Sequence, residues 1–279
     1  MRIYLSVIIL LIFASCDARK AKLEKADALI SHIEMLIEKE QYNLAKTEID
    51  SLHKTYPMLV EKRRMAVALE DTITRRESSR TLIYCDSILP GKKRVLDSIE
   101  PNFRFEKNLK YQDIGNYVYK TELTESNANR TYLKCYVDEN ADIYLVSNYC
   151  GPKIEQQSVE VSVNELFAHT DTISPSDPIN HRYDDGGSHF ESVIFKNESQ
   201  NGVIEFINQN NSKKIKVALH GKKSYSYFLA DNDRKSIIET YHFWKAKKDV
   251  VYLLKEIKKA NIRIERIKLS NKSTLKPTK

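Results

Sequence analysis

The chain has 279 residues, a formal net charge of +7 and four cysteines, and 30% of its residues are charged. Lysine and arginine alternate with nearly as many acids and form no long single-sign block. That pattern describes a solvated mixed surface and excludes a nucleic-acid-binding arm.

Met1 and Arg2 precede a mostly apolar run from Ile3 to Phe13, which is followed by Ala14, Ser15 and Cys16. A positive residue, a short apolar core and a small-residue boundary are the parts of a secretory signal, and the run is too short to span a bilayer as a helix. The junction Phe13-Ala14-Ser15-Cys16 resembles the lipobox of bacterial lipoproteins, with Phe13 where Leu is usual. The resemblance implies a signal peptide over 1–15, a diacylglycerol on the Cys16 thiol and a second, palmitate-type acylation of its amine. Each buried methylene contributes roughly 0.8 kcal/mol, so two or more chains anchor a protein where one does not. The alternative is an ordinary secretory leader with a chance cysteine. Export would leave Cys85, Cys135 and Cys150 as an odd count in a compartment that permits disulfides.

Residues 16–101 read as helical. Leu23, Ala26, Ile30, Ile33 and Ile37 recur at three-and-four spacing, with Leu29 and Leu36 widening the stripe. A second helix is predicted from Tyr42 to Tyr56, closed by Pro57. Its Tyr42, Ala45, Ile49 and Leu52 resemble one helical unit of a tetratricopeptide-type repeat, but no second copy follows at the expected period, so it is read as part of a helical hairpin. A third stretch runs from Met58 toward Leu89, with an almost wholly polar middle, Thr74 to Thr81, expected at the surface. Pro90-Gly91 and Pro101 are expected to end this part.

From 102 to 231 the period changes to two. Strands are predicted at Tyr117–Leu123, Thr131–Val137, Asp142–Tyr149, Ser158–Val163, Phe190–Phe195, Val203–Ile207, Lys214–Leu219 and Ser224–Leu229. They are separated by Asn, Asp, Gly and Ser clusters, the pattern of an antiparallel sheet or small sandwich. Pairing Val137 with Asp142 would set Cys135 opposite Tyr144 and leave Cys150 too far off register for a disulfide within that hairpin. A bridge from either cysteine to another strand stays open.

After Asp231-Asn232-Asp233, a helix-capping cluster, apolar residues fill alternating three and four spacings: Phe243, Ala246, Val250, Leu253, Ile257, Ala260, Ile264 and Ile267. A long coiled-coil-type helix is therefore expected over 232–269. Its partner would be the N-terminal stripe or a second copy of the chain, so the oligomeric state is left open. The tail 270–279 is polar and basic and reads as disordered. The expected class is α+β: helical hairpins and a long C-terminal helix flanking an antiparallel β module.

Chemistry is sparse. His181, Asp184, Asp185 and His189 surround Gly186-Gly187 and carry metal-ligand atoms, but no pair has a recognised spacing and Asp-Asp-Gly-Gly is also ordinary turn sequence. There is no phosphate loop, nucleophile elbow or His-Glu-x-x-His helix, so no catalytic residue, metal site or cofactor is assigned. Tyr132 with Tyr136, and Tyr225 with Tyr227, each share one face of a strand. Each pair is either a stacking platform for a sugar or peptide, or cross-strand packing.

The triplets Asp50-Ser51-Leu52, Asp71-Thr72-Ile73, Asp86-Ser87-Ile88, Asp97-Ser98-Ile99 and Asp171-Thr172-Ile173 look like acceptors for the O-glycosylation of Bacteroidota envelope proteins. With the lipobox, they make the chain resemble the uncharacterised envelope lipoproteins of that phylum. The resemblance implies attachment to the outer membrane, on its periplasmic or surface face. The expected function is non-catalytic: a β module displayed on a helical stalk, binding a glycan, a peptide or another envelope protein. A hydrolase or metal-dependent enzyme with its site near the 181–189 loop is the alternative.

Overall fold

The computed structural model describes residues 2–122, 127 and 129–274, with the side chains of 2–18 and 271–274 outside that description. The chain is α+β: five α-helices accompany two antiparallel sheets among the described residues. It forms two compact units, one of Met1–Asp86 with Lys255–Lys279 and one of Ser87–Leu254. The helices α3 (Val60–Ile99) and α5 (Asp231–Thr274) each contribute to both. No helix is long and apolar enough to cross a membrane among the described residues.

The first unit also holds α1 (Arg2–Glu38) and α2 (Tyr42–Thr55). The predicted stripe of α1 is buried at Ile30, Ile33, Leu36 and Ile37, together with Tyr42, Ala45, Ile49 and Leu52 of α2 and Ala66 and Ile73 of α3. A C-terminal turn closes α1: Gln41 N–H donates to Leu36 O at 2.9 Å and Glu40 N–H to Ile37 O at 3.0 Å, with Glu40 at φ 61°. This is the Schellman arrangement, with glutamate in the left-handed position where Gly is usual.

The α1 stripe was one of two expected partners of the C-terminal helix, but from Ile30 to Ile37 it packs with α2 and α3. Within this unit α5 lies beside α3. Ser270 shares a cleft wall with Val60, Arg63 and Val67, and burial, helped by the nearby Glu256 carboxylate, raises the Cys85 thiol pKa. The polar stretch 74–81, expected at the surface, is exposed or half-buried except at Ser78, which is buried. Arg76 bonds to Glu38 at 2.7 Å, Glu77 to Lys46 at 2.7 Å, and Arg80 pairs with Glu40.

In the second unit, α3 passes through Pro90-Gly91, where it was expected to stop, and reaches Ile99. Proline inside a helix costs about 3 kcal/mol. Beyond it, Leu96 and Ile99 offset that cost by packing into the core. The strands β1 (Phe103–Glu106), β2 (Asn116–Tyr119), β3 (Tyr132–Asp138), β4 (Ile143–Cys150), β8 (Ser188–Lys196) and β7 (Asn180–Asp185) form a six-stranded sheet in the order β1-β2-β3-β4-β8-β7. A second sheet has the order β10-β9-β5-β6, from β5 (Ser158–Val163), β6 (Leu166–His169), β9 (Lys216–His220) and β10 (Ser224–Phe228). Sequence patterning misses β1, β6 and β7, which are short or largely polar.

One core serves both sheets. It takes Leu133, Cys135, Val137, Leu145 and Phe195 from the larger and Val159, Val161, Val217 and Leu219 from the smaller. Phe243, Ala246 and Val250 of α5 enter it, Phe243 stacking on Phe103 at 4.2 Å. The upper half of the apparent coiled-coil seam is therefore an amphipathic helix lying on a sheet core.

The segment Val203–Ile207 is helical, not extended: it lies in α4 (Val203–Gln209). Its apolar residues fit either period. Gly202 at φ 81° and the Gln200 side chain, whose Oε1 accepts from Ile204 N–H at 2.9 Å, start a helix that buries Val203, Ile204 and Ile207.

The β3–β4 register is one residue from the predicted one, with Val137 opposite Ile143 and Cys135 opposite Leu145. Asp138 Oδ1 accepts from the amides of Asn140 and Asp142, each at 2.9 Å, and Ala141 takes φ 64°. The side chain thus stabilises a three-residue loop where a four-residue turn was expected. Cys85, Cys135 and Cys150 are all free. The leader 1–15 and the Cys16 side chain lie outside the described side chains, and 275–279 outside the described residues. The basic tail is helical as far as Thr274.

Candidate functional site

Strand alternation gives the six-stranded sheet one face toward the core and one toward solvent. The outward face carries Tyr132, Lys134 and Tyr136 on β3, Asn148 on β4, Ser192 on β8 and Tyr183 on β7, as the pairings Tyr132↔Asn148↔Ser192↔His181 and Tyr183↔Phe190 require. At one end of this face a cleft of about 220 Å³ is lined by Arg130, Tyr132, Asn148, Tyr183, Phe190 and Ser192.

Each wall of the cleft has a physical origin. Gly186 at φ 55° and Gly187 at φ 79° form the two-residue reversal between β7 and β8. The reversal places Tyr183 opposite Phe190 with the rings stacked, 5.1 Å apart and 13° from parallel. Tyr132 is buried beneath the Arg130 guanidinium, which sits 4.6 Å above its ring. Arg130 is itself fixed by Asp233 at the start of α5, with one contact of 2.7 Å. Burial, then the nearby Glu122 carboxylate, push the Tyr132 hydroxyl up to about 12, so it is a neutral donor at physiological pH. On the floor, Asn148 Oδ1 accepts from Ser192 Oγ at 3.0 Å, while Asn148 Nδ2 is buried and has no hydrogen-bond partner among the described residues.

Of the four tyrosines singled out from the sequence, only Tyr132 lines this cleft. Tyr136 is on the same face but stacks on Tyr144, with rings 4.6 Å apart and 10° from parallel. Tyr225 and Tyr227 belong to the other sheet, where Tyr225 stays exposed and Tyr227 turns inward. Tyr225 sets its edge on Tyr149 at 5.1 Å, and Tyr227 packs against the core with a buried hydroxyl and a pKa raised by that burial. The four therefore do not form one platform. Tyr183, Phe190, Asn148 and Ser192 escaped sequence reading. Treating Gly186-Gly187 as a two-residue hairpin turn would have found the first two, since it fixes their register.

The 181–189 loop is the turn of that hairpin. His181 pairs across from Ser192 and His189 from Asp184, so the two imidazoles leave opposite faces of the sheet. Among the described residues no three His, Cys, Asp or Glu side chains converge as metal ligands. His189 Nδ1 meets Asp184 Oδ1 at 2.7 Å and Nε2 meets Glu191 Oε1 at 3.3 Å, which engages both nitrogens.

Glu191 is buried and accepts from the backbone amides of Ile154, Glu155 and Gln156, the first two at 2.8 and 2.9 Å. Glu155, at φ 56°, turns these successive amides to one side as an anion nest. Burial raises the Glu191 carboxyl, but the three amides and Arg182 outweigh it and hold it below the ordinary carboxylate range. The nest is filled by the chain's own carboxylate, an arrangement that binds the 154–156 segment to β8.

A second cleft, near the chain's one tryptophan, has less to offer a ligand. The indole N–H of Trp244 donates to Ala141 O at 3.0 Å and Lys248 lies 4.7 Å over its ring.

Of the five Asp-Ser/Thr-aliphatic triplets, four lie in helices, and only Asp171-Thr172-Ile173 falls in a connection, with Thr172 exposed. No family model matches the chain, and no match to it was found among curated proteins or among solved structures.

Proposed function

We propose that this chain is a lipid-anchored, non-catalytic envelope protein whose β unit binds a neutral glycan segment in the Tyr132–Tyr183 cleft. The anchor rests on the spacing of Cys16 after the apolar leader. The ligand rests on one observation: stacked rings and an uncommitted buried amide share a small cleft. Sugars present apolar C–H faces to aromatic rings and hydroxyls to amides, and the cleft supplies both. At about 220 Å³ it takes a single ring or side chain and not an extended ligand.

Oligosaccharide microarrays followed by calorimetry test the reading. Binding that is lost in Asn148→Leu, with the fold retained, supports it. A wild-type chain that captures peptides and no oligosaccharide would move the ligand class to peptides. The hydrolase or metal-enzyme reading has less support, since His181 and His189 diverge and His189 is engaged twice over.

A further inference from the structure

We propose that the end of the helical unit nearest Cys16 in the chain is a second membrane contact, a basic surface that takes the anionic headgroups of a phospholipid bilayer while Met58 enters the interface. The proposal rests on the lipid-anchor reading. In α1, Arg19 and Lys22 follow Cys16 by one and two helical turns, and both line a cleft of about 650 Å³ with Tyr56, Pro57, Met58 and Leu59 of the α2–α3 connection. Lys20, Lys25 and Lys54, within three residues of these lining residues in the chain, are exposed. None of these five cations has an acidic partner among the described residues, whereas Lys62 is paired with Asp27 and Arg64 with Glu61. Met58 in the connection is 87% exposed, and Val60, two residues on, is exposed as well.

An unbranched apolar side chain in a loop, beside lysine and arginine that have no acidic partner among the described residues, suits the boundary between headgroups and acyl chains. The lysine and arginine stems can lie along the apolar boundary while their charges reach phosphate. Each such cation near an anionic surface raises partition roughly fivefold. The anchor already holds this end at the bilayer, so a contact that is weak in isolation is populated once tethered.

The test uses the lipidated chain carrying Met58→Cys and Cys150→Ser, labelled at position 58 with a polarity-sensitive dye. It is reconstituted in vesicles of phosphatidylcholine alone or mixed with phosphatidylglycerol. The expected result is a blue shift in the mixed vesicles only, reversed at about 1 M salt, where the Debye length falls to roughly 3 Å. Arg19→Glu with Lys22→Glu should remove the shift, a loss of roughly 25-fold or more in the docked population, with palmitate incorporation unchanged. Equal emission in both vesicles, or a shift indifferent to the charge reversal, overturns the proposal while leaving the anchor intact. If no palmitate is incorporated, the anchor reading fails separately. The unlipidated dye-labelled chain, held on the same vesicles by a histidine tag at position 16 and a nickel-chelating lipid, then decides: a blue shift that depends on phosphatidylglycerol keeps the surface, and its absence overturns it.

Discussion

Tyr183 and Phe190 face each other across the β7–β8 hairpin with their rings 5.1 Å apart and nearly parallel, although Tyr183 is 55% exposed. An exposed stacked pair at a sheet edge contributes only about 0.2–1 kcal/mol to stability. Tyr183→Ala is therefore expected to leave the melting transition almost in place while weakening oligosaccharide binding about tenfold. Thermal melts and calorimetry on the same preparation check both halves. A large loss of stability would mean that the pair is packing and not a platform.

Glu191 offers the clearest pH signature. Its folded-state pKa lies below the ordinary 4.5, so it stabilises the fold above about pH 4.5, and that contribution is lost as pH falls through the folded-state value. Glu191→Gln removes the charge from the nest and from Arg182, at a cost of about 3 kcal/mol at pH 7. The gap between wild type and mutant should narrow steadily below pH 4.5. Urea unfolding at pH 7 and pH 3 measures it, and a gap of equal size at both would place the stabilisation elsewhere.

Gly221 bears on the same nest from outside. A Cβ at this position would stand 2.1 Å from Glu155 O and 2.7 Å from Ile154 O, both backbone atoms that cannot step aside cheaply. Gly221→Ala must displace the 154–156 segment and with it the amides that hold Glu191. A loss of about 2–4 kcal/mol is expected, together with a shallower acid limb of the stability curve. Combining Gly221→Ala with Glu191→Gln should cost less than the sum of the two, since both act through one segment. Strict additivity would separate the two effects.

Legibility in the sequence followed how local the determining forces were. The α+β class, the α1 and α2 stripes and strand β5 were readable because period and turn residues are local. Extension of α3 through Pro90 was not, since the compensation comes from Leu96 and Ile99 entering a core assembled from distant strands. Val203–Ile207 fits both periods, and only the Gln200 cap and the space available to Val203, Ile204 and Ile207 choose the helix. Tyr132 was found as an aromatic in a strand. The cleft around it needs the order β3-β4-β8-β7, and single-strand patterns carry no information on sheet order.

The α5 seam also divides in a way its heptads conceal. Phe243, Ala246 and Val250 belong to the sheet core, whereas Ala260, fully buried, belongs to the helical unit, where α5 lies beside α3. Ala260→Asp places a carboxylate at a fully buried position, and burying an unpaired charge costs several kcal/mol unless the helix moves away. The helical unit should loosen while near-ultraviolet signals from the β unit persist. Cys85 reports the change directly, because its thiol is buried and its pKa is raised by that burial. In the wild type it should resist iodoacetamide, and in Ala260→Asp it should react on the timescale of an exposed thiol. If instead the seam joined two copies of the chain, sedimentation would show a concentration-dependent dimer in the wild type that the mutation converts to monomer. A monomer before and after, with Cys85 newly reactive, is the result that pairing within one chain requires.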